Sequence, residues 1–317
     1  MIFAGKKIIR LLLILLAVSA ITFLMVNLLP GDVAYVIGGE DASPEDIQAI
    51  REAFGLDKNI ILRYVEWLVN IARGDFGKSY LTREPVLATI AARLPITLEL
   101  ILLSQLIALA LAIPAGIYSA YRNRTPVDRC LSGFGFASLS IPSFVMALIL
   151  IFIFAIQLKW FPATGYTPLS EGIWRNLQSF LLPSLSIALI EWVPLMRVLR
   201  TDMIATLQED FILVARAKGM PTWRILLRDA LKPSSLTLIT IVGLQIGHWI
   251  GAAVIVEMIY ALPGIGRLLV NAVFSRDFLI VQGCVVTITV AYVIINSLVD
   301  FLYAVLDPRI RREFRHG

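Results

Sequence analysis

Long apolar stretches recur along this chain and constrain its fold more than any other feature. A bilayer core about 30 Å thick needs roughly 20 apolar residues for each helical crossing. Stretches of that length predict six spans, at about residues 9–29, 96–120, 132–158, 180–199, 236–260 and 280–306. Only 16% of the 317 residues are charged, against about 25% in a typical soluble domain. We therefore predict an all-α membrane protein with a transmembrane core over 96–306.

The first span resembles a secretory signal but is too long for one. Lys6 and Arg10 precede the apolar run, and Val18–Ala20 has the small residues of a cleavage site. The run nevertheless continues to Leu29, beyond the roughly 7–15 residues of a signal's apolar region. The sequence therefore predicts an uncleaved transmembrane helix over residues 1–29.

The distribution of basic residues predicts the orientation. Lys and Arg near span ends are retained on the cytoplasmic side. Apart from those at the amino terminus, they gather in the loops after spans two and four and in the tail over 307–317, as Arg122, Arg124, Arg129, Arg197, Arg200, Arg216, Lys218, Arg224, Arg228, Lys232, Arg309, Arg311, Arg312 and Arg315. The segment 30–95 carries more acids than bases. We predict that both termini are cytoplasmic and that 30–95 is an extracytoplasmic helical segment.

Two short helices are predicted in this extracytoplasmic segment. Ser43–Asp46 supplies an N-cap, a proline at the first helical position and an acid for a capping box, so a helix should run to about Phe54. A second, amphipathic helix is predicted over Ile60–Ala72. It would serve as a packed cap over the spans, as a docking surface for an external partner, or as both. The predicted apolar side consists of Ile61, Tyr64, Val65 and Leu68.

The inner loop at 200–235 is charged, but its apolar residues recur at regular intervals, which predicts two short helices. Gly219 and Pro221 separate them, because glycine ends a helix in the left-handed conformation and proline favours the first turn of the next helix. Two interpretations are open. The loop is either an interfacial amphipathic helix with Trp223 at the lipid headgroups, or a protruding helix that fits a cleft in a cytoplasmic partner.

The motifs that would indicate catalysis or a bound cofactor are incomplete in this sequence. Gly77-Lys78-Ser79 ends like a phosphate-binding loop, but the first glycine of that motif would be residue 72, which is alanine. Gly264-Ile265-Gly266 lacks the third glycine of a dinucleotide fingerprint, since residue 269 is leucine. The two histidines, His248 and His316, have no zinc-ligand spacing. The sequence predicts no catalytic centre, no resident cofactor and no metal site.

Polar groups inside the spans should face protein or water rather than lipid, because they are costly in hydrocarbon. They are Glu99, Gln105, Glu191, Gln245, His248, Glu257, Asn296 and Asp300. For each one alone an interhelical hydrogen bond is the simpler role, whereas together they favour a bundle with a polar interior. Prolines at positions 114, 142, 183 and 194 would bend three of the spans.

Span five combines such polar groups with a stripe of small residues. Its glycines recur every four residues, at Gly243, Gly247 and Gly251, and small-residue stripes of this kind let two helix backbones approach closely. We predict that this stripe is a subunit interface. The candidate residues of a transport pathway on the same span are Gln245, His248 and Glu257.

The inner loop also carries a family resemblance. Ala215-Arg216-Ala217-Lys218-Gly219, followed by Leu227–Leu231, resembles the coupling loop of ABC importer permeases in the variant of the peptide and nickel permeases. Leu213 and Val214 replace the first two residues of the generic motif, and Pro233 lies one place late. Further matching segments are Leu29–Asp32, Gly55–Asp57, Gly74–Ser79, Ser140–Phe144, Pro263–Gly266, Arg276–Phe278 and Asp307–Arg311. The chain is thus similar, over nearly its whole length, to the first of the two permeases in dipeptide, oligopeptide or nickel importers.

The resemblance implies a six-helix, type I permease fold and a division of labour in a prokaryotic inner or plasma membrane. An extracytoplasmic solute-binding protein would deliver the substrate, a second permease would complete the pathway, and two cytoplasmic ATPase subunits would bind ATP and Mg²⁺. The chain itself would do no covalent chemistry. The residues that the resemblance places in the ATPase-coupling loop are Ala215, Arg216, Ala217, Lys218, Gly219 and Trp223.

The cargo is left open by the sequence. Within the resembling family we favour short peptides, with nickel or another metal chelate, glutathione and opine-like solutes as alternatives. A self-contained secondary transporter or channel would need its own coupling-ion site and usually internal repeats, which the sequence does not display. An intramembrane enzyme would need a catalytic constellation.

Overall fold

The computed structural model describes residues 2–28, 33–38, 42–53, 55 and 57–306, and the regular elements within this part of the chain are helices. They are α1 (Ile2–Leu28), α2 (Val33–Gly38), α3 (Pro44–Ala53), α4 (Ile60–Ala72), α5 (Val86–Tyr121), α6 (Pro126–Leu139), α7 (Ser143–Leu150, continued as a π-helix over Ile151–Gln157), a 3₁₀ turn (Leu169–Glu171), α8 (Ile173–Thr206), α9 (Asp210–Ala217), α10 (Thr222–Arg224, continued as a π-helix over Ile225–Ala230), α11 (Leu231–Ile259), α12 (Ile265–Phe274) and α13 (Phe278–Leu306). The predicted all-α class is confirmed for the described residues.

Three helices in the described part are long and apolar enough to cross a membrane, namely α5, α8 and the Phe278–Leu298 portion of α13. The bent pair α6 and α7 makes a fourth if the two helices form one span. Along the sequence, α1 and α11 coincide with the first and fifth predicted spans. The count of six spans stays a prediction.

The bend that Pro142 predicts in the third span, 132–158, is present. The chain turns by 102° between α6 and α7. Pro142 stands at the break with φ −60° and ψ 149°, because its ring lacks an N–H for the helix ladder and disfavours helical geometry in the residue before it. By contrast, Pro183 and Pro194 lie inside α8, which continues through both.

The chain divides into two compact units, each with a core of its own. The second unit comprises Ile96–Pro263 and Ile294–Gly317, and α8 supplies much of its core. Gly135 of α6 allows close packing there, since a Cβ at this position would lie 2.9 Å from Cγ1 of Val193. The hydroxyl of Tyr260 lies 2.9 Å from that of Ser186 and donates to the carbonyl of Ala147 at 3.2 Å. These contacts join α7, α8 and the C-terminal end of α11.

The first unit comprises Met1–Pro95 and Gly264–Val293. A buried polar contact in this unit joins two segments that are far apart in sequence. Asp277 is buried, accepts a hydrogen bond from the hydroxyl of Ser79, and accepts a second from the N–H of Tyr80 at 3.4 Å. Nearby, Gly283 lets α13 approach the start of α5, because a Cβ there would lie 2.7 Å from Cγ1 of Val86.

Both short helices predicted for the segment 30–95 are present. The capping box of α3 is reciprocal: the N–H of Ser43 donates to Asp46 at 3.1 Å, and the N–H of Asp46 donates to the Ser43 hydroxyl at 3.2 Å. Hydrogen bonds from the side chain and backbone of Ser43 lower the pKa of Asp46. Phe54, the predicted end of α3, lies outside the described residues, and the observed helix ends at Ala53.

The second of these helices, α4, has the predicted bounds, but only part of its predicted apolar side packs inward. Tyr64 and Trp67 pack inward, with Trp67 buried. Ile61 and Val65, which the sequence placed on the packing side, are 69% and 48% exposed. A helical period of 3.6 residues leaves two adjacent apolar arcs on this helix, and contacts with α1 select only one of them.

Candidate functional site

The loop at 200–235 in the second unit folds into a short helix, a glycine turn and a second helix. We call residues 210–227 the coupling segment. Its first helix, α9, starts after Glu209, whose carbonyl accepts from the N–H of Ile212 at 3.0 Å, and carries Asp210 in its first turn and Arg216 in its last. Acid at the start and base at the end complement the helix dipole. The helix is therefore specified locally.

Gly219 ends α9 in the way the sequence predicts. Its φ is +73°, a left-handed conformation that costs other L-residues energy. The N–H of Gly219 donates to the carbonyl of Arg216 at 2.9 Å, and that of Met220 donates to Ala215 at 3.2 Å, which together form a Schellman motif. Pro221 then precedes α10. The predicted break between the two helices is confirmed.

One face of the coupling segment belongs to the core of the second unit. Ile212 is completely buried, and Ala215 and Ile225 are 8% and 4% exposed. They share a continuous apolar cluster with Leu199 and Met203 of α8. The segment and α8 therefore pack in one core.

The opposite face exposes large apolar side chains between basic ones. The exposed apolar residues are Phe211, Leu213, Val214, Trp223 and Leu227, and Trp223 is 66% exposed. Arg216, Lys218 and Arg224 lie among them and are also exposed. Exposed apolar clusters rimmed by charge are typical of protein interaction sites. Among the residues assigned to coupling, Ala215 is the one that faces inward.

A cavity of 590 Å³ lies beside the coupling segment in the second unit. Residues of the segment line it together with residues from the C-terminal ends of α5 and α8. Its lining residues include Tyr121, Asn123, Gln208, Arg216 and Met220.

A polar cluster that sequence reasoning missed ties α5, α6 and α8 together near this cavity. Arg200 donates from Nε to Oδ1 of Asp128 at 2.8 Å and from Nη2 to Oδ2 at 2.7 Å. The hydroxyl of Ser119 also donates to Asp128, and Nη2 of Arg200 donates to Asn123 at 2.9 Å. The available signal was that Asp128 is the acid among the bases of the loop after span two.

The predicted interface and pathway residues lie on α11, in different surroundings. Gly243 is buried, whereas a Cβ on Gly251 would meet nothing within 4 Å. Gln245 is buried, and its Oε1 has no hydrogen-bond partner among the described residues. The surroundings of Gly247 and the side chain of His248 lie outside the described part of the structure. Their assigned roles stay predictions.

Glu257, the third candidate of the pathway, is engaged inside the second unit. It is completely buried and accepts a hydrogen bond from the hydroxyl of Thr97 on α5. This contact joins α5 to α11 across 160 residues of sequence. A buried carboxylate needs such donors, because an isolated charge in the membrane interior is costly.

Helices long and apolar enough to span a membrane, with the coupling segment packed against one of them, give the chain the architecture of an integral membrane protein. The chain matches the sequence model of the family described as "Binding-protein-dependent transport system inner membrane component" over residues 112–312, and the N-terminal model of the same membrane components over residues 1–101. The chain belongs to this family.

Several named relatives align with almost the whole chain. It is 37% identical to a putative peptide transport system permease protein of Brucella abortus (strain 2308), over 96% of this chain and 98% of that protein. It is 36% identical to the oligopeptide transport system permease protein AppB of Bacillus subtilis, over 94% and 95% of the two chains. It is 34% identical to the glutathione transport system permease protein GsiC of Escherichia coli (strain K12), over 96% and 97%.

Proposed function

We propose that this chain is the first of two permease subunits in an ATP-driven importer of short peptides. A solute-binding protein would deliver the peptide to the outer face, and two ATPase subunits would bind the coupling segment on the inner face. Six spans of a type I permease fold would place both termini in the cytoplasm. The observation that carries the proposal is the coupling segment, with one face in the core and the other exposed.

The two faces of α9 suit a mechanical link between the ATPases and the spans. Phe211, Val214 and Trp223 would lie against an ATPase, where burial of aromatic and aliphatic side chains supplies most of an interface's binding energy. Movement of the ATPases would displace the segment as a unit because its Schellman turn and buried face fix it. Ile212 and Ala215 would pass that displacement to α8.

Peptides as cargo are supported by the names of the relatives. Two of those described above are named for peptides or oligopeptides, and the third is named for glutathione, itself a tripeptide. Glutathione is therefore the first alternative cargo, ahead of nickel chelates and opine-like solutes.

A matched pair of tryptophan variants tests ATPase docking. Trp223 and Trp174 are similarly exposed, at 66% and 72%, but Trp174 lies in the first turn of α8, at the other end from the coupling segment. Trp223→Ala should lower the amount of ATPase that co-purifies with the tagged chain by at least about tenfold, as the loss of a central aromatic anchor predicts. Trp174→Ala should leave it unchanged. Equal ATPase recovery with both variants would contradict the docking assignment.

A further inference from the structure

The helix α4 packs against α1 at a depth that an extracytoplasmic cap would not reach. The hydroxyl of Tyr64 lies 2.9 Å from the hydroxyl of Ser19 and donates to the carbonyl of Leu16 at 3.2 Å. At 1.5 Å per residue, Ser19 lies about 15 Å from either end of the predicted span 9–29. Tyr64 therefore stands beside the middle of that span. The ring of Phe23, nearer the end of α1, contacts Trp67 with 5.9 Å between centroids.

The exposed surface of α4 has two flanks of opposite character. The apolar flank consists of Ile61, Leu62, Val65 and Val69, each at least 43% exposed. The polar flank consists of Glu66 and Asn70, with the half-buried Arg63 beside them and Arg73 at the C-cap. Such a division, on a helix of 13 residues that is too short to span, is typical of an amphipathic helix with one side against hydrocarbon and the other against water or protein.

Each flank borders a cavity of matching chemistry in the first unit. A cavity of 390 Å³ on the polar flank includes Lys58, Arg63, Glu66 and Asp75 in its lining, and Lys58 pairs with Glu66 at 3.0 Å. A crevice of 170 Å³ on the other side is lined by Ala20, Phe23, Leu24, Ile60, Ile61 and Tyr64. Hydrocarbon fills such an apolar crevice better than water or a charged peptide does.

We propose that α4 is embedded in the outer leaflet beside α1, with its apolar flank and the crevice in contact with lipid acyl chains. The flank is continuous with exposed apolar residues of α1 such as Leu24, which lie in a predicted span. Its residues are all branched and bulky, whereas helices that pair in membranes use small residues to approach closely. This chemistry favours acyl chains over a helix of the second permease. Both the depth of α4 and the word "outer" rest on the first predicted span and on the topology proposed above.

Spin-label accessibility tests the proposal on the full-length chain in lipid nanodiscs. In a background with Cys130→Ser and Cys284→Ala, single cysteines would carry a nitroxide at Val65 or Val69 on the apolar flank. Matched labels would replace Asn70 and Arg73 on the polar flank. All four positions are exposed, so the comparison isolates what covers each flank. Collision rates would be measured with oxygen, which concentrates in hydrocarbon, and with a water-soluble nickel chelate.

The expected result is a severalfold higher ratio of oxygen to nickel-chelate collisions at residues 65 and 69 than at residues 70 and 73. Nickel-chelate access at residues 65 and 69 equal to that at residue 73 would overturn the proposal and make α4 a water-facing cap. Exclusion of both reagents at residues 65 and 69 would also overturn it, because protein would then cover the flank. The chain needs no ATPase for this measurement, so a wrong proposed function would leave its outcome unaffected.

Discussion

Arg200 holds both carboxylate oxygens of Asp128, although the two residues lie 72 positions apart. The side chain of Asp128 is 6% exposed and that of Arg200 is 25% exposed. Paired N–H donors in this fork geometry fix orientation as well as distance. The pair therefore fixes the C-terminal part of α8, from which the coupling segment follows, against the start of α6.

Removal of the carboxylate charge should destabilise the second unit. Asp128→Asn is expected to lower the free energy of unfolding by about 2–3 kcal/mol, less than for a fully buried pair because Arg200 is partly exposed. Asp202→Asn, a change at a half-buried acid on α8, is the matched control and should have little effect. Thermal unfolding of the detergent-solubilised chain would measure both. Equal stability of the two variants would show that the pair contributes nothing.

Gly219 should tolerate only residues that accept a left-handed backbone. Gly219→Asn should retain ATP-driven uptake, because asparagine adopts this conformation at modest cost. Gly219→Pro should abolish uptake while the chain still inserts. Proline fixes φ near −65° and removes the N–H that donates a hydrogen bond to the carbonyl of Arg216. Uptake by proteoliposomes, scored beside membrane insertion, distinguishes the two. Full activity of the proline variant would show that the turn is dispensable.

The inward side of α9 should tolerate no charge. Ala215→Glu is expected to uncouple ATP hydrolysis from uptake, because position 215 lies in the core cluster and an unpaired charge there is costly. Ala217→Glu places the same side chain at an exposed position two residues later and should retain more coupling. The measured quantity is solute imported per ATP hydrolysed. A larger loss at position 217 would reverse the assignment of the two faces.

Gly251 offers a test of the subunit interface that separates assembly from folding. Nothing in the described chain would meet a side chain at this position. Gly251→Leu should therefore leave the thermal stability of the isolated chain unchanged and reduce co-purification of the second permease. If assembly persists at the normal level, the stripe of Gly243, Gly247 and Gly251 is not the interface.

Close packing in the first unit predicts the opposite behaviour for Gly283. A Cβ there would lie 2.7 Å from Val86 and 3.0 Å from Ile90, so Gly283→Ala should destabilise the chain by about 1–3 kcal/mol through overpacking. Gly133→Ala, at an exposed helical position with open space, should be neutral or slightly stabilising. The thermal unfolding midpoints of the two variants would measure both effects on stability. A neutral Gly283→Ala would mean that α13 and α5 can separate freely.

The sequence alone predicts those features that depend on residues close together in the chain. The cap at Ser43, the bounds of α4 and the glycine turn at Gly219 all follow from residues within one helical turn of each other. Pro142 differs in this respect from Pro183, because one breaks its helix and the other does not. What separates them is the packing around each proline, which a single sequence does not record.

The missed features depend on contacts between distant residues. Asp128 pairs with Arg200, and Thr97 with Glu257, across separations that periodicity cannot connect. The packing face of α4 was partly wrong for the same reason, since its apolar residues cover more than one side and only α1 selects among them. Positive charge at Arg200 was read as a marker of topology, although the structure also gives it a partner.

Reconstitution into proteoliposomes tests the central claim most directly, namely that ATPases acting on the coupling segment drive this chain. Labelled peptide uptake would be compared between vesicles with the chain alone and vesicles with the chain, the second permease, the ATPases and the binding protein. The account predicts ATP-dependent uptake only in the complete system, and its loss with Gly219→Pro. Uptake by the chain alone, driven by an ion gradient without ATP, would contradict the account and identify a self-contained transporter.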